Sequence, residues 1–342
     1  MKGTGQRSPR RGGRRSESGQ VIVWATILLP ITLVAAGLAF DVGNMINIRD
    51  ELTNAVDAAS LAGAQALMDP SASDTHVRNG IRNVALQNRV PSLRQDVSGV
   101  ALDPNPGNDA GGDIVLGRWD FGAHTFTPAT PPIDISMINA IRINARLSRV
   151  AGPLPLAFGR VVGVPEFDTV RTALSVIGGP VEATPMAPLA VDMNAFTGRA
   201  RSFRPPNDIL ITSRGAPNVA GTGFGSAAST AEIRSLVNNP NRIPEVALGD
   251  VVSLAPNSGT LPFGAMRRAW PPNSIVTVPV VTFTNLAAGH GTVQGFAAIR
   301  IRQIRNRDPR FIEGTIESIR MTSTAATEAE CYGLSCRSFL VN

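Results

Sequence analysis

Hydrophobic positions along the chain follow three different patterns. From Val21 to Phe40 they are continuous: VIVWATILLPITLVAAGLAF is twenty residues without a charge. At about 1.5 Å per residue this run predicts a helix roughly 30 Å long, the thickness of bilayer hydrocarbon. Pro30 sits at its centre, where a membrane helix tolerates the lost backbone donor better than a soluble one. From Met45 onward, small or apolar residues recur at helical steps: Met45, Leu52, Val56, Ala59, Gly63 and Ala66, with Arg49 interrupting and Asp50, Asn54 and Asp57 on another side. This spacing predicts an amphipathic stem helix that ends at Asp69-Pro70. Ala55, Ala59 and Gly63 stand at i, i+4 and i+8. A face so poor in large side chains lets another helix approach closely, or packs on its own domain; both arrangements remain open.

The third pattern is that of a folded body. Ser73 and Asp74 begin a short helix to about Asn88, with Val77, Ile81 and Val84 on one side. Asp103 to Asp113, rich in Pro, Gly, Asn and Asp, is a loop. Ile114 to Trp119 and Ala140 to Leu147 read as strands, and the second sets Ile141, Ile143, Ala145 and Leu147 against Arg142, Asn144 and Arg146. Pro153 to Val162 reads as a short helix opened by proline, and Glu166 to Ile177 as a strand, closing a small unit near Gly178-Gly179-Pro180. Beyond it lie strands Ile209 to Thr212, Ile275 to Phe283, Val293 to Ile304 and Thr315 to Thr322, and a helix Thr230 to Val237 capped by Ser229 or Thr230. Regular crossover helices are not evident, so the sheet is expected to be antiparallel or mixed. The class is α+β. Residues 1–18 are a tail, 19–68 a transmembrane helix with its helical stem, 69–180 a small α+β domain, and 181–342 a β-rich domain.

Charge fixes an orientation. Lys2, Arg7, Arg10, Arg11, Arg14 and Arg15 precede the apolar run with no acid among them, and only Arg49 follows within twenty residues. Removing those six from 32 basic residues leaves 26 against 26 acidic, so the excess is a tail and not a nucleic-acid-binding face. The positive-inside rule then places the N-terminus in the cytoplasm and the body in the periplasm, on a single-pass inner-membrane protein. The rival reading is a signal peptide cut near Gly37-Leu38-Ala39, but an ordinary signal core is about 7–15 residues, shorter than this run.

Candidate chemistry is sparse. Cys331 and Cys336 form no C-x-x-C pair, and His76, His124 and His290 are the only histidines, so a structural zinc site is not expected. The two cysteines are a disulfide candidate in an oxidising compartment, or else two free thiols. Gly221-Thr222-Gly223-Phe224-Gly225 is followed by no Lys-Ser or Lys-Thr and reads as a surface loop, not a phosphate cradle. Gly289-His290-Gly291 reads as a hairpin turn. Arg300, Arg302, Arg305, Arg307 and Arg310 alternate with Ile299, Ile301 and Ile304 over part of their run, the pattern of a solvated strand face. No catalytic, cofactor-binding or metal-binding residue is indicated.

One stretch carries a family pattern. Gly19-Gln20 precedes an apolar span containing LLP, then Asp41-Val42-Gly43, then ELTNAVDAASLAGAQAL from Glu51 to Leu67. It resembles the N-terminal segment of TadE/TadG-like proteins of the Flp (tight adherence) pilus-assembly system. VLGRWD (115–120), INAIRINAR (138–146), PLPLAFGRVVG (153–163) and the segment 278–301 resemble that family's body more loosely. The resemblance implies a non-enzymatic envelope component of pilus assembly: structural, minor-pilin-like or adhesion-related. Its partners would be the inner membrane and other pilus-assembly proteins, with a homo-oligomer through the stem left open; no cofactor is implied. A membrane-anchored periplasmic enzyme or ligand-binding module is the alternative. Two departures stand out. Longer TadG relatives carry an Asp-x-Ser-x-Ser metal motif, and the nearest string here, Asp134 to Ile138, lacks the second serine. Prepilins carry a glutamate five positions after the cut glycine, where this chain has Trp24.

Overall fold

The computed structural model describes residues 17–69, 72–88, 90, 99–147, 153–196, 208–212, 219–225, 228–255, 261–285, 289–308, 310–317, 331 and 336–341. The basic tail and residues 318–322 of the last expected strand lie outside them. One continuous α-helix runs Glu17–Leu67, with Pro30 inside it. Membrane span and stem are thus a single element. Among the described residues this is the one helix long and apolar enough to cross a membrane. Its first half leaves large apolar side chains exposed, Val21, Ile27, Leu33 and Phe40 among them.

The chain divides into two compact units. One holds the helix through Glu51 together with Arg146–Thr169. In it, strands Leu154–Pro155 and Glu166–Phe167 pair antiparallel, and a 3-10 turn Gly159–Val162 joins them. This hairpin replaces the short helix expected over 153–162. Pro155 disfavours the helical region for Leu154 before it, and the N–H groups that follow find a partner outside the segment, described below. The expected strand 166–177 is correspondingly two strands, Glu166–Phe167 and Thr169–Gly178.

The second unit contains the stem from Leu52 and the rest of the body. A five-stranded sheet has the order Arg337–Val341, Thr169–Gly178, Ala140–Leu147, Ile114–Asp120, Thr125–Pro128. Trp119, Ala140 and Val176 form an apolar cluster with Phe126, Leu174 and Phe339. Residues one step out of phase turn the other way: the Ser175 hydroxyl donates to the Ser60 carbonyl of the stem at 2.6 Å, and Ile141 lies beside Gly63. Stem and helix Asp74–Gln87 therefore layer on one face of an antiparallel sheet, an α+β arrangement.

The larger sheet is mixed. Its order is Val219–Gly221, Leu189–Asp192, Ile275–Asn285, His290–Arg305, Phe311–Glu317, Asp208–Thr212, and Val251–Ser253 also pairs with His290–Arg305. Leu189–Asp192 runs parallel to Ile275–Asn285, and the other recorded pairings are antiparallel. Val276, Val278, Val280, Ala297, Ile299 and Ile301 build one core with residues of helices Thr230–Asn238 and Phe263–Ala269. Val281, Val293, Phe296 and Ala298 build the core of the opposite face. Ser229 caps the first of these helices by accepting from the Glu232 N–H at 3.2 Å.

Candidate functional site

The most specific polar arrangement in the first unit centres on Asp41, the residue immediately after the apolar run. The residue is 4 % exposed and lies on the long helix. Three consecutive backbone N–H groups donate to it: Ala157 to Oδ1 at 3.0 Å, Phe158 to Oδ2 at 2.8 Å and Gly159 to Oδ2 at 2.7 Å. These are the groups that the turn Gly159–Val162 would otherwise leave unsatisfied at its start. One turn earlier on the helix, Gly37 leaves room for the Phe158 ring, which a Cβ at that position would meet directly. The hairpin is thus fixed to the helix by a carboxylate and by a missing side chain, both in the segment where LLP and Asp-x-Gly carried the family pattern.

In the second unit the stem face is occupied by the chain's own body. Ala55 and Ala59 are buried, and a Cβ on Gly63 would come within 2.6 Å of Ile81 and 2.8 Å of Ile141. The buried stripe also includes Leu52, Val56, Ala64 and Leu67. Cys331 and Cys336 are joined, with Cα atoms 5.5 Å apart, and both are buried just before strand Arg337–Val341.

A residue that periodicity did not single out organises the neighbouring loop. Arg78, on helix Asp74–Gln87, is buried. It reaches Asp74 at 2.6 Å, the carbonyls of Pro104 at 2.7 Å and Ile114 at 3.0 Å, and Asn108 Oδ1 at 3.1 Å. Asn108 in turn binds strand Ile114–Asp120 through the Leu116 amide and carbonyl. The available signal was the Asp74–Arg78 i, i+4 spacing, which also describes an ordinary surface pair.

The other candidates are dispersed. The string Gly221 to Gly225 is not a surface loop through most of its length. Gly221 ends an edge strand, and Thr222 and Gly223 are buried, their N–H groups donating to Pro188 and Ser253 carbonyls. Gly221 has no side chain because Ile233 and Leu261 occupy that space, a Cβ there lying 2.5 and 2.8 Å from them. His290 opens a strand, exposed, after Gly289 in a left-handed turn. Arg302, Arg305, Arg307 and Arg310 are exposed while Ile299, Ile301 and Ile304 are buried. A cleft of about 380 Å³ is lined by Arg118, Asp120, Thr125 and Thr127. The N–H groups of Ala123 and Gly122 hold the Asp120 carboxyl below the ordinary range, with Arg118 adding to the effect. Among the described residues, neither a histidine nor a cysteine lines this cleft.

Comparison with known families identifies the N-terminal half. A family model described as "Putative Flp pilus-assembly TadE/G-like" matches residues 19–66. A second, described as "Putative Tad-like Flp pilus-assembly", matches residues 62–174. Together they cover the helix, the stem, the small sheet's first strands, the Asp41 carboxylate and the hairpin that binds it. No curated protein and no solved structure matches the chain.

Proposed function

We propose, from the match of residues 19–174 to the Tad-like Flp pilus-assembly family models, that this chain is a non-enzymatic, membrane-anchored envelope component of Flp pilus assembly. The observation that carries the reading is the continuity of Glu17–Leu67. An apolar, lipid-compatible half leads without a break into a half whose small residues are buried in a folded body. Such an element joins an apolar span to the folded body within one helix. The orientation follows the basic tail, with the N-terminus in the cytoplasm and the body in the periplasm, at the inner membrane. The family match supports contact with other pilus-assembly subunits, in a structural, minor-pilin-like or adhesion-related part. A homo-oligomer built through the stem would have to displace Ile81 and Ile141, so partner contacts are assigned to the body's outer surfaces.

The test is genetic and biochemical. Deleting the chain should abolish or reduce surface pili, and the full-length protein, crosslinked in native membranes, should recover Flp pilus-assembly proteins. Normal piliation together with recovery of none of those proteins would overturn the reading.

A further inference from the structure

Within the hairpin 153–167, the side chains that face outward are apolar apart from Arg160. Phe158 is 41 % exposed, Val161 69 %, Val162 53 % and Val164 50 %. Arg160 is the single charge over residues 157–164. An exposed apolar loop tip of this kind is unusual on a water-facing surface. Its backbone is unusual in a complementary way, because its amides are largely satisfied. Ala157, Phe158 and Gly159 donate to Asp41. Leu156 donates to Pro165, Val161 to Phe158, Gly163 to Arg160 and Val164 to Gly159. Amides satisfied in this way lower the cost of bringing irregular backbone to the bilayer interface, short of the hydrocarbon itself, where exposed loops do not occur.

The hairpin's position points to the same medium. Asp41 follows directly on Phe40, the end of the apolar run, and the Phe158 ring lies over Gly37. Gly37 is about one helical turn, roughly 5–6 Å, back into the span. Phe158 therefore sits at the depth of the last hydrophobic turn. We propose that the hairpin tip, Phe158 with Val161, Val162 and Val164, is a lipid-contacting wedge seated at the headgroup–acyl boundary of the leaflet on the body's side, held there by Asp41. Arg160 stands among the wedge residues, where its guanidinium can snorkel to lipid phosphates. The occupant is phospholipid because the surface continues that of the span itself. The inference rests on the anchor reading given above.

The experiment uses the full chain in vesicles of phosphatidylethanolamine and phosphatidylglycerol. A nitrobenzoxadiazole probe is placed on Val161→Cys, on Ile27→Cys within the span, and on Val251→Cys, an exposed body position. Labelling is done without reductant, and the unsubstituted chain supplies the blank. Emission from Val161→Cys is expected to be blue-shifted and to be largely lost when spin-labelled lipids carry the quencher near the headgroup. Ile27→Cys should be quenched by deeper labels, and Val251→Cys by neither. Adding Asp41→Asn should release the wedge, so that Val161→Cys loses its quenching while Ile27→Cys keeps it. If Ile27→Cys is quenched and Val161→Cys is not, the wedge is refuted and the anchor stands. If neither is quenched, the anchor reading fails and takes the wedge with it. A blue shift without lipid quenching would mean burial against protein and would overturn the proposal, and quenching that survives Asp41→Asn would overturn the tether.

Discussion

A charged side chain that leaves water must replace its hydration shell, and Asp41 and Arg78 both do so with backbone groups. Asp41 collects three N–H donors from one turn. Arg78 spreads its guanidinium over two carbonyls, Asn108 and Asp74. The planar fork is what makes the second arrangement possible, since a lysine ammonium cannot reach separated acceptors in the same plane. Arg78→Lys should therefore keep the charge and still lower stability by about 1–3 kcal/mol, the worth of a charged hydrogen bond whose buried partner is left unpaired. A denaturation midpoint in detergent measures the loss, and amides of 103–113 should exchange faster. An unchanged midpoint with unchanged exchange would refute the assigned role. Neither residue's role is legible in the sequence. Asp41 is visible as part of a motif, but its partners lie 116 to 118 positions away. Arg78 follows Val77 on a helix whose cap and apolar face are both readable, and nothing local marks it as buried.

At the scale of elements, strong periodicity is legible and weak periodicity is not. Ala140–Leu147 has the expected bounds and alternation, because one face of an antiparallel strand must be apolar when it covers a core. The stem is legible as a helix, though its buried stripe includes Ala64 and Leu67, while Ala66, expected in the stripe, is only half-buried. Residues 153–162 of the hairpin read as a helix because proline at a helix start and a short apolar run fit that element locally. The deciding interaction, a carboxylate that accepts the turn's amides, is supplied by tertiary structure. Gly63 tests the stem. Valine there would recover part of the roughly 1 kcal/mol helix penalty of glycine, but its Cβ would push on Ile81 and Ile141, and such overpacking costs about 1–3 kcal/mol. The net expectation for Gly63→Val is a destabilisation independent of protein concentration, read as a lower thermal midpoint in detergent. A midpoint that falls only at high protein concentration would locate the contact between copies instead.

For the whole molecule, the chain's last strand carries most of the consequence. Arg337–Val341 does not extend the C-terminal sheet. It pairs antiparallel with Thr169–Gly178, from Arg337 against Gly178 to Val341 against Leu174, and so forms the edge of the sheet on which the stem packs. This crosses the boundary expected near Pro180. No local signal could reveal it, because periodicity marks a segment as a strand without showing which distant strand it pairs with. The joined cysteines precede that strand. A disulfide persists in the periplasm and is reduced in the cytoplasm, which makes these two residues a reporter of orientation. Because both are buried, slow labelling of the folded protein would not distinguish a disulfide from two shielded thiols. Cells should therefore be opened directly into denaturant containing excess alkylating agent without reductant. The expected intact mass carries no adduct, and prior reduction should add two. In parallel, a periplasm-active reporter fused after Asn342 should be active and a cytoplasm-only reporter silent. Two adducts without reduction, with the reporters unchanged, would remove the disulfide and leave the topology intact. Two adducts with the reporters reversed would place the body in the cytoplasm, against the direction that Lys2, Arg7, Arg10, Arg11, Arg14 and Arg15 impose.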